Sequence, residues 1–112
     1  MTSKLIGLLL ASSVVSTSAF AGDVANGQEK YEETCIACHG PDGKGTLPGV
    51  PNFASKKGPL AQSDDVLFSS IKNGLERPGA DLAMPEMGGN PDLTDADMHD
   101  IIAYMRKAFN AG

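Results

Sequence analysis

The chain has two cysteines, three positions apart, in the run Cys35-Ile36-Ala37-Cys38-His39. On one turn of helix, thiols at that spacing share a face, and an imidazole on the next residue follows close beneath them. The run reads C-x-x-C-H, the attachment site of a c-type haem. Each thiol can form a thioether with one vinyl group of the porphyrin, and a neutral imidazole nitrogen is a strong ligand for its iron. Three other chemistries use cysteines this close together. A disulfide here would close a ring too small to constrain the unfolded chain much. A thioredoxin-like dithiol needs a βαβ setting that the sequence does not offer. A zinc site needs four ligands, whereas the chain holds one further histidine, His99, and no further cysteine.

The chain is 112 residues long, room for one small domain. Its start reads as a secretory signal peptide over residues 1–21. Lys4 precedes an almost continuous apolar run from Leu5 to Val15, and Ala19-Phe20-Ala21 supplies the small-x-small cleavage pattern. That run is short for a membrane span and nothing later approaches one, so residues 22–112 are expected as a single periplasmic domain without stable membrane insertion. The 14 Asp and Glu outnumber 9 Lys and Arg, a formal charge of −5 that loss of Lys4 makes one unit more negative. Such a balance argues against nucleic acid or an anionic membrane as partner, and favours proteins with a basic docking face. With no Trp, but 13 Gly and 7 Pro, the chain is short of bulky core-forming side chains and rich in loops. A flat apolar cofactor would complete its core. Burying several hundred Å² of apolar surface at roughly 25 cal/mol per Å² contributes on the order of 10 kcal/mol, comparable with a whole domain's stability.

Three helices are expected to position these residues. Val24, Gly27, Tyr31 and Cys35 fall on one face of a first helix, with Asp23 as N-cap and Asn26, Glu29, Glu32 and Glu33 largely on the other side. A glycine at Gly27 permits close approach of a second helix. A short central helix is predicted from Asp64 to Asn73, with Ser63 as cap, Val66, Leu67, Phe68 and Ile71 inward, and Gly74 as stop. The last helix is predicted from Asp95 to Phe109. Thr94 and Asp97 form its capping box, Leu93 and Met98 its hydrophobic staple, and Met98, Ile101, Ile102, Met105 and Phe109 its apolar stripe, with Tyr104 and Ala108 along one edge. His99 falls outside that stripe and reads as a solvated residue. The two connecting stretches, residues 40–62 and 75–91, lack any supporting periodicity and need something to wrap around.

Together these features resemble a small bacterial monohaem class I cytochrome c over essentially all of residues 22–112. The resemblance implies an all-α fold, with three main helices and long Gly/Pro-rich loops wrapped around one covalently bound haem c per chain. It places Gly27, Tyr31 and Tyr104 where the first and last helices cross, and Pro51, twelve residues after His39, where its carbonyl would accept the His39 Nδ1 proton and strengthen that ligand. Periodicity makes Met98 and Met105 core residues and leaves Met84 and Met87 as possible sixth ligands. The Met84-Pro85 step resembles the family's ligand step, with Met87 as runner-up. Arg77 is a candidate partner for a haem propionate. The implied function is an electron carrier and not an enzyme: a periplasmic, monomeric shuttle of single electrons between redox proteins, of the kind used in respiratory chains. Two alternatives differ in class. One is an electron-accepting haem c subunit of a periplasmic dehydrogenase; the other is a catalytic or gas-binding haem protein with a labile sixth ligand.

Overall fold

The computed structural model describes residues 22–76 and 83–109. In them the chain forms α1 (Val24–Thr34), α2 (Ile36–His39), α3 (Asp64–Asn73) and α4 (Asp95–Phe109), with 3₁₀ turns at Pro59–Ala61 and Glu86–Gly89. No strand is present among the described residues, where the only bridge pairs Leu75 with Met84. The all-α reading therefore holds, and α3 and α4 occupy the residues predicted for them.

Local chemistry accounts for the helix starts. The Asp23 carboxylate accepts the Asn26 amide at 3.1 Å, and the Ser63 hydroxyl accepts that of Val66 at 3.3 Å. At α4 the capping box is closed from both sides: Thr94 Oγ1 accepts the Asp97 amide at 3.0 Å, while Asp97 Oδ2 accepts the Thr94 amide at 3.1 Å. Leu93 and Met98 are both buried beside it. Between α1 and α2, Cys35 departs from ideal helix (φ −101°, ψ −25°) but still donates to the Tyr31 carbonyl at 2.8 Å and accepts from the His39 amide at 3.0 Å, so the helical hydrogen-bond pattern carries across the junction.

The main packing contact is the crossing of α1 over α4. A Cβ placed on Gly27 would strike the backbone carbonyl of Asp100 and lie 2.9 Å from the Tyr104 Cβ, so only glycine allows the two backbones to come this near. Tyr31 is fully buried beneath the crossing, its ring centroid 5.4 Å from that of Tyr104 and 5.5 Å from that of Phe109. Leu67 and Ile71 of α3 and Met98, Ile101, Ile102 and Met105 of α4 complete the core with Phe53, Leu60 and Leu93 from the loops.

Three expectations are corrected. Asn26 does not face outward; its side-chain amide donates to both Asp97 (3.0 Å) and Asp100 (2.8 Å) across the crossing, because a residue next to the notch at Gly27 is also within reach of α4. Val66 is 45 % exposed, since the first turn of α3 lies ahead of the stretch that meets the core. Ala108 is exposed, so the stripe on α4 is narrower near its end. His99 is exposed as expected, with its ring stacked 4.4 Å from that of Phe68.

Candidate haem site

The short helix α2 holds the chemistry-bearing run, and three contacts fix it. The Thr46 hydroxyl donates to the carbonyls of Ala37 (2.8 Å) and Cys38 (3.1 Å), and the Thr46 amide donates to Cys38 at 2.9 Å. Behind them the Gly45 amide donates to the His39 carbonyl at 2.8 Å. The buried Tyr31 hydroxyl donates to the carbonyl of Gly40 at 2.6 Å. Burial, with a smaller effect of the neighbouring Cys35, pushes the Tyr31 hydroxyl above its ordinary range, so it remains a neutral donor. The chain turns away at Gly40, whose φ of 81° ends the helix.

His39 is buried, and its ring stacks on that of Phe53 with centroids 4.5 Å apart and planes 19° off parallel. Phe53 is in turn held by the hydrogen bond its backbone amide donates to the Gly43 carbonyl (2.8 Å) and by a stack on Phe109. The ligand ring therefore rests on an aromatic column that runs back to α4. As a free thiol Cys35 is half-buried, and desolvation, helped by Cys38, pushes its pKa up to about 12; Cys38 is exposed. One thiol is thus set into the body of the protein and the other lies at its surface.

Both cysteines and His39 line one cavity of about 360 Å³, whose other walls come from the rest of the chain. Met84 and Pro85 line it, as do Leu67 and Ile71 of α3 and Met105 of α4. Pro51 lines it together with Leu47, Pro48, Gly49, Val50 and Phe53 from the same loop. Among the described residues no Asp, Glu, Lys or Arg lines it. Two thiols, one imidazole and the thioether of a loop methionine, with that of Met105 from α4 also on the wall, form on a single apolar cavity a donor set that suits a covalently bound haem, and so the residues present fit the group.

Of the two loop methionines, Met84 lines the cavity and Met87 does not. Backbone geometry explains the difference. Gly74 (φ 78°) turns the end of α3 against the Met84 carbonyl, which a Cβ there would approach to 2.6 Å. Leu75 and Met84 then exchange both backbone hydrogen bonds, at 2.9 and 2.7 Å, which fixes the Met84 backbone. Met87 has the left-handed φ of 54°, uncommon for a side chain of its size; both methionines pack against the core, but only Met84 also lines the cavity. Arg77 lies outside the described residues. Sequence reasoning missed Thr46 and Phe53 as supports of the ligand run; a hydroxyl and an aromatic in a Gly/Pro-rich loop carry no periodic signal.

The cytochrome c family profile matches residues 24–109. Among characterised proteins the chain is 35 % identical to cytochrome c-555 of Chlorobaculum tepidum over 94 % of its own length and 92 % of that protein's. It is 41 % identical to cytochrome c-554(548) of Halomonas halodenitrificans over 75 % of the chain and 94 % of that protein. With cytochrome c6 of a Synechococcus species it shares 30 % identity over 94 % of the chain and 88 % of that protein.

Proposed function

The chain belongs to the cytochrome c family, an electron carrier with one covalently bound haem c that works with redox partners, and we propose the residues and setting through which it does so. Cys35 and Cys38 bear the thioethers, His39 is the proximal axial ligand and Met84 the distal one. The observation that carries this assignment is the convergence of those four side chains on one cavity that Met87 does not reach. Bound haem iron supplies a one-electron couple, and a histidine–thioether pair leaves it no open coordination position.

The protein's own part is to hold the donors still. Thr46 fixes the carbonyls of Ala37 and Cys38, Phe53 sets the plane of the His39 ring, and the Leu75–Met84 pairing sets the thioether. The Pro51 carbonyl is assigned as acceptor of the His39 Nδ1 proton, which would fix the ring's orientation and raise its basicity; Pro51 lining the same cavity supports this. Donors held this firmly need little rearrangement when an electron arrives or leaves.

The mature protein is further proposed to be a periplasmic monomer that begins at Gly22, which the pattern of residues 1–21 supports. No helix among the described residues is long and apolar enough to cross a membrane. Exposed Cys38, Ala37, Leu47, Pro48 and Gly49 gather an uncharged rim where a redox partner would meet the cofactor's edge, while the acidic charge of the whole molecule steers basic partners from a distance. Intact mass of the natively exported protein tests the assignment. The expected mass is residues 22–112 plus one haem, with the added mass on the peptide that contains Cys35 and Cys38. A bare polypeptide mass would refute it.

A further inference from the structure

Arg106 lies near the end of α4, where the sequence explains it only as a cation favoured by the helix dipole. The structure gives it more specific work. Its Nη1 donates to the Leu60 carbonyl at 2.9 Å, its Nη2 to the Gln62 carbonyl at 2.8 Å, and its Nε to Asp64 Oδ1 at 2.7 Å. One planar guanidinium thus grips the middle and the end of the turn that follows Gly58, and the first residue of α3. Among the described residues the turn's other hydrogen bonds are local, from Ala61 to Gly58 and from Gln62 to Pro59, each at 3.0 Å.

That turn borders two cavities. Pro59 and Gln62 line the haem cavity, and the same two residues, with Pro51, also line a second recess of about 580 Å³. The second recess is of different character, with Asn52, Ser55 and Lys57 on its walls. On one side of the turn lies an apolar space and on the other a polar one. Loosening the turn would join them and admit water to the cofactor.

We propose that Arg106 is a positioning residue for electron transfer: it latches the Pro59–Gln62 turn as the wall between the haem cavity and the polar recess, and so keeps the cofactor's surroundings dry. Dry surroundings disfavour the more highly charged oxidised centre, so an intact latch holds the reduction potential up. A lysine keeps the positive charge but cannot donate to three acceptors in a fixed plane. The inference rests on haem occupying the cavity, as read above.

The test compares the midpoint potentials of purified holoprotein for wild type, Arg106→Lys and Arg106→Gln, each titrated at several pH values. The latch predicts a lower potential in both variants and a steeper pH dependence in each. Wild-type behaviour in Arg106→Lys overturns it, whether Arg106→Gln shifts or not, because the residue would then act through its charge alone or not at all. Hydrogen exchange of wild-type holoprotein gives a readout that needs no variant. The Ala61 and Gln62 amides should exchange more slowly than that of Lys56, and equal rates would also overturn the proposal. Absence of haem from the wild-type mass would sink the cofactor assignment instead, which separates the two failures.

Discussion

At the scale of single residues, each assignment depends on what one side chain can reach. Met84 lines the haem cavity and Met87 does not, so replacing each with alanine should have opposite results. Oxidised Met84→Ala protein is expected to lose the weak thioether-to-iron absorption band and to bind cyanide readily, whereas Met87→Ala should retain the band. Loss of the band in Met87→Ala alone would reverse the ligand assignment. Gly27 is the other residue with a single permitted identity. In Gly27→Ala the new methyl group meets the Asp100 carbonyl, a backbone atom that cannot swing aside, so urea unfolding should show a loss of about 3 kcal/mol, at the upper end of overpacking costs. Cys35, Cys38 and His39 were readable from spacing alone because thioether chemistry dictates the interval between them. Phe53 and Thr46 were not, since their roles depend on which loop folds back against α2, and that is settled only in three dimensions.

Among the elements, α3 and α4 were legible to the residue because their signals are local: a capping side chain at one end and an apolar repeat between. The face of α1 was read less well, and Asn26 shows why. Periodicity places a residue around its own axis but says nothing of how closely a second helix approaches, and the notch at Gly27 brings α4 near enough to engage a residue assigned to the outer side. The same contact has a pH signature. Hydrogen bonds from Asn26 and then from the Thr94 amide hold the Asp97 carboxyl below its ordinary value, with a smaller pull from Lys30. A carboxyl depressed in the folded state contributes stability that is present above its unfolded pKa, about 3.9, and lost as pH falls through the folded value. Asp97→Asn should therefore lower stability at neutral pH and flatten its decline between about pH 4 and lower values, measured by urea unfolding at each pH. An acid limb as steep as that of wild type would show that the contact between α1 and α4 does not depend on this charge.

For the whole molecule, the shortage of large side chains seen in the composition has its counterpart in an apolar cavity beside the packed core, which Phe53, Leu67, Ile71 and Met105 border. All four helices and three loop stretches contribute to its walls. Cys35→Ala/Cys38→Ala protein made without haem is accordingly expected to show no cooperative thermal transition by circular dichroism, while the holoprotein melts in one step; a sharp transition in the haem-free variant would show that the polypeptide core suffices. The order of the parts along the chain has one more consequence. Asn26 and Asp100, joined across the helix crossing, stand 74 positions apart, whereas the hydrogen bonds that fix the ligand run lie within residues 31–46. The run that bears the sulfurs and the imidazole is therefore braced by its near neighbours, while the crossing beneath which Tyr31 is buried closes only when distant stretches of the chain meet.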